Sequence, residues 1–177
     1  FVLSMVNAPI PELTIEPKEV GYDDFYKIGI TWEGNVHHSN NMERSCPLAV
    51  FRPLINEHTK LFMLSPSIGA ENLVDGCEDM EILGTELNNF QDTAELIAAM
   101  DLVISIDTSV LHLAGTLNHN TIGLLSHNKD HRWKLDINWY PSVKFIQQEF
   151  PGDWASVSDR LKMQVSMEVQ KWLLKKS

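Results

Sequence analysis

The stretch Asp101–Thr116, DLVISIDTSVLHLAGT, predicts a buried strand that runs directly into a short helix. Its first part, 102–106, is a short continuous apolar run, which is typical of a parallel strand covered on both faces. Small and apolar residues follow over 108–117, and the polar residue Asp107 lies at the junction. We therefore expect a strand over 102–106, a polar turn, and a helix over 108–117.

The turn in this stretch is a candidate binding site for an anion. In open α/β sheets, ligands bind where a strand ends and the next helix begins. Free backbone N–H groups and the positive end of the helix dipole favour a phosphate there. Thr108 and Ser109 add hydroxyl donors, and His112, four residues after Thr108, lies on the same helix face. The pattern predicts a site for a diphosphate-like ligand, with Asp107 either facing the ligand or capping the helix.

The rest of the chain alternates between strand-like and helix-like patterns. We predict further strands over 27–32, 61–64, 80–83, 121–125 and 143–147, and helices over 48–58 and 92–100 and after Asp153. Asp92 is the predicted start of the second of these helices. Repeated strand–helix units predict an α/β fold, a Rossmann-like parallel sheet with helices on both faces.

Two segments are expected along the 177 residues. Residues 1–26 are acidic and interrupted by Pro9, Pro11 and Pro17, which favours a linker or interdomain segment. Residues 27–177 have the length of one α/β domain. The chain does not begin with Met, so we interpret it as part of a longer protein or as a processed form.

Composition excludes several classes of partner. The net charge is −10, which argues against nucleic acid and against an electrostatic membrane anchor. No apolar run approaches the roughly 20 residues that span a bilayer. The chain has two cysteines, Cys46 and Cys77. We interpret them as free thiols in a reducing cytosol rather than as a disulfide, so we expect a cytoplasmic protein.

The motif Asp107–Gly115, DTSVLHLAG, resembles the donor-site motif of GT-B glycosyltransferases. The closest resemblance is to bacterial transferases linked to tetratricopeptide repeats, which are related to O-linked N-acetylglucosamine transferases and to family 9 heptosyltransferases. Matching motifs occur in the same order along the chain: Ile28–Asn35, Arg44–Leu48, Phe90–Ala94, Arg132–Trp133, Trp139–Ser142 and Gly152–Trp154. The resemblance covers roughly residues 20–160.

This resemblance implies the nucleotide-sugar-binding half of a metal-independent glycosyltransferase, with no cofactor. The partners implied are a nucleotide-diphosphate sugar, an N-terminal GT-B half that holds the acceptor and the catalytic base, and tetratricopeptide repeats outside the chain. The donor would lie against the residues Gly34, Asn35, Asp107, Thr108 and Ser109. Arg44 and His112 are the candidate catalytic residues, which would neutralise the charge that develops on the leaving diphosphate.

Three of these candidate site residues also have a purely structural interpretation. His112 is alternatively a core histidine, Gly34 a simple turn residue, and Arg44 a surface residue whose charge at a helix start opposes the dipole. The adjacent pair His37 and His38 does not predict a metal site, because neighbouring side chains point apart and no carboxylate has helix spacing to them.

One departure from the family pattern leaves the function open. Leu64–Ser67, LSPS, stands where relatives tend to have a Gln-Lys pair, so a lysine expected near the nucleotide is missing. This change favours the alternative of a diverged, non-catalytic binding or interaction domain. A sugar-nucleotide epimerase shares the fold and is the other alternative, although the sequence shows no convincing pair of carboxylates to flank a sugar.

Overall fold

A computed structural model of the chain describes residues 13–34, 37, 41–64, 79–84, 87–133 and 139–177. The strands are β1 (Tyr26–Thr31), β2 (Thr59–Met63), β3 (Glu81–Ile82), β4 (Leu102–Ile106), β5 (Thr121–Leu125) and β6 (Val143–Gln147). The α-helices are α1 (Asn41–Arg44), α2 (Phe90–Ala98), α3 (Ser109–Thr116) and α4 (Trp154–Lys176), and two 3-10 helices cover Leu48–Leu54 and His131–Trp133.

The six strands form one sheet in the order β3-β2-β1-β4-β5-β6, and every neighbouring pair is parallel. The predicted α/β, Rossmann-like parallel sheet is therefore confirmed. Strand order reverses between β1 and β4, where Thr31 pairs with Ser105. This is the switch point at which open α/β sheets bind ligands.

Alternate residues of the central strands belong to two hydrophobic clusters, one on each face of the sheet. On one face, Ile104 and Met63 pack with the 3-10 helix Leu48–Leu54 and with α4. On the other face, Val103 and Phe62 pack with α2 and α3. Helices thus cover both faces, which explains why β4 and β5 are buried along their whole length.

Two local predictions were wrong. The predicted α-helix over 48–58 is a 3-10 helix that ends at Leu54, because Pro53 has no N–H to donate and Ile55 is extended. The helix predicted to begin near Asp92 begins at Phe90 instead. Asn89 is its N-cap and accepts bonds from the backbone N–H groups of Gln91 and Asp92, while the Asp92 carboxylate accepts from the N–H of Asn88.

The segment 13–25 contains neither helix nor strand, and β1 begins at Tyr26. Its backbone contacts the domain: Lys18 donates to the carbonyl of Glu95 at 3.0 Å, and Val20 packs against the cluster beneath α2. The division into residues 1–26 and 27–177 stays a prediction. Among the described residues, no helix combines the length and the apolar character needed to cross a bilayer.

Candidate active site

Arg44, the last residue of α1, reaches the carboxyl end of β4. Its Nη1 donates a hydrogen bond of 3.0 Å to the backbone carbonyl of Asp107. The guanidinium lies against Gly34 in the loop after β1, where an added Cβ would be 2.8 Å from Cζ of Arg44. Gly34 therefore allows the guanidinium to approach the backbone closely, in addition to its place in the turn.

Asp107 lies between two potential cations and is 14% exposed. One carboxylate oxygen is 3.9 Å from Nε2 of His112, and the other is 3.9 Å from Nη2 of Arg132. The backbone N–H of Arg132 donates to Asp130 at 2.9 Å and its Nε donates at 3.0 Å, and these two bonds hold the pKa of Asp130 below its usual value. The arrangement joins the end of β4 to the segment that follows β5.

The start of α3 offers backbone donors rather than a capped end. Thr108 is the N-cap, and its side chain makes no capping hydrogen bond to the helix. The hydroxyl of Ser105 donates to the carbonyl of Ile106 at 2.8 Å, so the 3.0 Å contact between Ser105 and Thr108 uses the Thr108 proton. The exposed Ser109 is therefore the hydroxyl that a ligand can use, together with the first N–H groups of α3.

His112 lies one turn into α3 and is enclosed by aromatic rings. It stacks on Trp133 with a centroid separation of 4.8 Å, and its Nδ1 is 3.0 Å from the hydroxyl of Tyr140. Its Nε2 is buried and makes no hydrogen bond to the described residues. Burial lowers the pKa of His112; the charges of Asp107 and Asp130 oppose this effect, and that of Arg132 adds to it.

A polar cleft opens at this edge of the sheet. Residues from the ends of α1, β4 and β5 and from the loop after β5 line it: Glu43, Arg44, Asp107, Leu125, Ser126, Asn128, Lys129, Asp130 and Arg132. Lys129 adds a cation whose ammonium donates to the Gln147 side chain at 2.9 Å. Sequence reasoning missed Lys129, although its place just beyond β5 at the same sheet edge was the signal that would have found it.

The structure brings together Arg44, Gly34, Asp107 and His112, while Thr108 and Ser109 form the start of α3 beside them. Asn35 lies outside the described residues, as do Cys77 and the residues Ser65–Ser67 of the departing loop. Cys46 is a buried free thiol. The described residues hold no group of three or more side chains suited to a metal ion.

The chain is similar in sequence to a known protein family and to a curated protein. The sequence profile described as "Glycosyltransferase family 9 (heptosyltransferase)" matches residues 49–152. This range contains β4, α3 and the loop after β5. Protein FlbA of Caulobacter vibrioides is 26% identical over 151 residues, which is 76% of this chain and 24% of that protein. The chain thus spans about a quarter of the length of this curated relative.

Solved structures share the fold at low sequence identity. E. coli heptosyltransferase WaaC with ADP has a TM-score of 0.60 at 17% identity, over 84% of this chain and 46% of that one. E. coli ADP-heptose lps heptosyltransferase II has a TM-score of 0.62 at 13% identity, over 88% and 49%. A family 9 glycosyl transferase from Veillonella parvula has a TM-score of 0.55 at 13% identity, over 89% and 48%. The chain thus spans about half the length of each structure.

Proposed function

Because the chain belongs to glycosyltransferase family 9 (heptosyltransferase), we propose that residues 27–177 form the donor-binding half of a GT-B glycosyltransferase. This half binds the diphosphate of a nucleotide sugar at the start of α3. A second α/β half, joined through residues 1–26, supplies the acceptor site and the catalytic base. Tetratricopeptide repeats outside the chain and a cytoplasmic location belong to the same proposal.

The observation that carries the proposal is the convergence of Arg44, Arg132 and His112 on Asp107 at the beginning of α3. Two guanidinium groups line this cleft beside the N-terminus of α3, and Lys129 adds a third cation among the carboxylates of the cleft. Planar guanidinium groups recognise phosphate oxygens in a bidentate manner. A diphosphate is therefore the ligand class that this edge of the sheet fits.

The same groups suit the chemistry of sugar transfer without a metal. Cleavage of the glycosidic bond leaves an additional negative charge on the departing nucleoside diphosphate. Fixed donors and cations aimed at that charge stabilise the transition state. Arg44 supplies such a cation, and the N–H groups at the start of α3 supply donors. Asp107 orients the site, since its carbonyl fixes Arg44 and its carboxylate lies between His112 and Arg132.

The names of the solved relatives suggest the first donor to test. One relative is a structure with ADP, and another is named for ADP-heptose. We propose an adenine nucleotide and an ADP-heptose-like donor ahead of uridine or guanosine donors. The lysine missing at Leu64–Ser67 favours a second candidate, a domain that binds the nucleotide without catalysing transfer.

Backbone amide NMR of the chain tests the donor site. ADP, UDP and GDP are titrated to millimolar concentration, with inorganic phosphate as a reference for simple anion binding. We expect shifts in residues 107–112 and 32–45 that saturate first with ADP. The exposed residues 174–177 at the end of α4 serve as the internal control. If 107–112 and 32–45 do not shift with any nucleotide, the donor-site proposal is wrong.

A transfer assay on the full-length protein separates the two candidates. Release of ADP from ADP-heptose in the presence of acceptor-containing cell extract supports the enzyme. Saturable nucleotide binding with no release of ADP from any of the donors supports the non-catalytic domain.

A further inference from the structure

Tyr140 contacts the candidate site at His112. It precedes β6, and its ring lies on the backbone of α3, where Gly115 leaves room for it: an added Cβ at Gly115 would be 2.7 Å from Cδ2 of the ring. Its hydroxyl is then 3.0 Å from Nδ1 of His112. The sequence favours a core-sealing turn at Trp139–Pro141, but the structure gives the Tyr140 hydroxyl a specific polar contact as well.

The contact has two possible proton arrangements. Either the phenol donates to Nδ1 and the imidazole proton lies on Nε2, or Nδ1–H donates to the phenol oxygen and Nε2 carries a lone pair. The Asp107 carboxylate is 3.9 Å from Nε2. A carboxylate attracts an N–H and repels a lone pair, so its field favours the arrangement with the proton on Nε2.

The packing around the ring leaves little freedom to reverse this arrangement. Trp133 is stacked on one face of the imidazole with an interplanar angle of 23°, and Tyr140 meets the ring edge at 72°. A ring flip would move Nδ1 away from the Tyr140 hydroxyl and leave a buried polar atom unpaired, which costs about 1 to 3 kcal/mol. The orientation of the imidazole is thus set by its neighbours before any ligand binds.

We propose that Tyr140 is a positioning residue: its hydroxyl donates to Nδ1 of His112, holds the imidazole in the Nε2–H tautomer, and directs that N–H donor toward Asp107 at the start of α3. The consequence for catalysis rests on the proposed function, because the donor serves the diphosphate only if the nucleotide sugar binds there. The tautomer itself is a property of the unliganded chain.

Long-range ¹H–¹⁵N correlation spectra of the histidine rings test the tautomer near pH 8. The His112 signals are assigned by their loss in His112→Gln. We expect a single Nε2–H pattern for His112 in the wild-type chain. In Tyr140→Phe, which keeps the aromatic ring and removes the hydroxyl, we expect an Nδ1–H form to appear beside the Nε2–H form that Asp107 still favours. A wild-type Nδ1–H pattern, or an unchanged pattern in Tyr140→Phe, would overturn the proposal.

Tyr22→Phe is the matched control, since it removes a phenol that donates to Glu81 of β3 at 2.6 Å and should leave His112 unchanged. For ligand binding, we expect Tyr140→Phe to weaken ADP about 3- to 10-fold, the range for one lost hydrogen bond. Equal ADP affinity in wild type and Tyr140→Phe contradicts the positioning role. If ADP does not bind the wild-type chain, the donor site fails, and the tautomer experiment still decides what Tyr140 does.

Discussion

The guanidinium of Arg44 donates to the backbone carbonyl of Asp107 across 3.0 Å, which joins the end of α1 to the end of β4. The two residues are 63 positions apart in the chain and meet only because β1 and β4 are neighbours in the sheet. One end of the guanidinium is thereby fixed on the protein. Its Nε is buried and has no hydrogen-bond partner among the described residues.

Replacing Arg44 with lysine should weaken ADP binding about tenfold. An ammonium is a point charge and cannot hold the Asp107 carbonyl while it also presents a planar pair of donors to phosphate. Affinity is measured by titration calorimetry or from the amide shifts. Arg52→Lys, at an exposed site in the 3-10 helix, is the control and should bind ADP normally. Normal affinity in Arg44→Lys would remove Arg44 from the site.

Gly34→Ala should act through Arg44. The added methyl group would lie 2.8 Å from Cζ of Arg44, so the guanidinium must move. We expect a loss of ADP affinity similar to that of Arg44→Gln. In the double variant Gly34→Ala/Arg44→Gln, the two losses of ADP binding free energy should not add, because the second change removes a contact that the first has already disrupted. Fully additive losses would mean that Gly34 acts on the ligand independently of Arg44.

The sheet could be predicted from sequence because its central strands are short and mostly apolar. The predicted bounds of β4, β5 and β6 agree with the structure, and α4 begins directly after Asp153 as predicted. The Asp153 carboxylate accepts from the N–H of Ser156 at the start of α4. The α-helix predicted over 48–58 was wrong because the prediction used the spacing of apolar residues alone. That spacing does not take into account that Pro53 has no backbone N–H to donate. The start of α2 was misplaced because both Asn89 and Asp92 are capping residue types.

The candidate site was less predictable than the fold. Arg44 and His112 were found by motif, but the partners that orient them come from distant segments. Tyr140 follows α3 by more than twenty residues, and only the packing at Gly115 brings its hydroxyl to Nδ1 of His112. Spacing rules describe one helix or one strand at a time, so they do not reveal such a contact.

The pKa of His112 should lie below its ordinary value of about 6.5 and respond to its two charged neighbours. The main cause is burial, which disfavours the imidazolium. Asp107 favours the imidazolium and Arg132 disfavours it. NMR titration should therefore show a lower pKa in Asp107→Asn and a higher one in Arg132→Gln. Shifts in the same direction for both variants would contradict this electrostatic account.

The same shift predicts how stability depends on pH. A histidine with a lowered pKa binds fewer protons in the native state than in the unfolded state, so the unfolding free energy rises with pH through this range. This contribution is complete above the unfolded value of about 6.5 and is lost as pH falls through the folded pKa. His112→Gln should have a shallower slope below pH 6.5. Some slope should remain, because burial also lowers the pKa of His119.

Leu161→Ala should destabilise the chain by about 2 to 5 kcal/mol. Leu161 is fully buried in the cluster that α4 shares with the sheet. Met163 lies on the same helix with 63% of its surface exposed, so Met163→Ala is the matched control and should change the free energy of unfolding by less than about 0.5 kcal/mol. Urea denaturation measures both. Similar losses for the two variants would contradict the packing of α4 described above.

His112→Ala should lower turnover by the full-length protein about 10²- to 10³-fold, the range for removing one oxyanion donor. It should weaken ADP binding much less, because the charge that His112 stabilises grows as the glycosidic bond breaks.

The helix propensity of alanine predicts little effect of His112→Ala on folding, but the contacts of His112 in the structure change that expectation. The imidazole stacks on Trp133 and contacts the Tyr140 hydroxyl, so the free energy of unfolding should also fall by about 1 to 3 kcal/mol. Turnover is therefore compared per folded molecule, with melting temperature measured on the same preparation. A large loss of stability with unchanged turnover per folded molecule would identify His112 as a core residue and exclude it from catalysis.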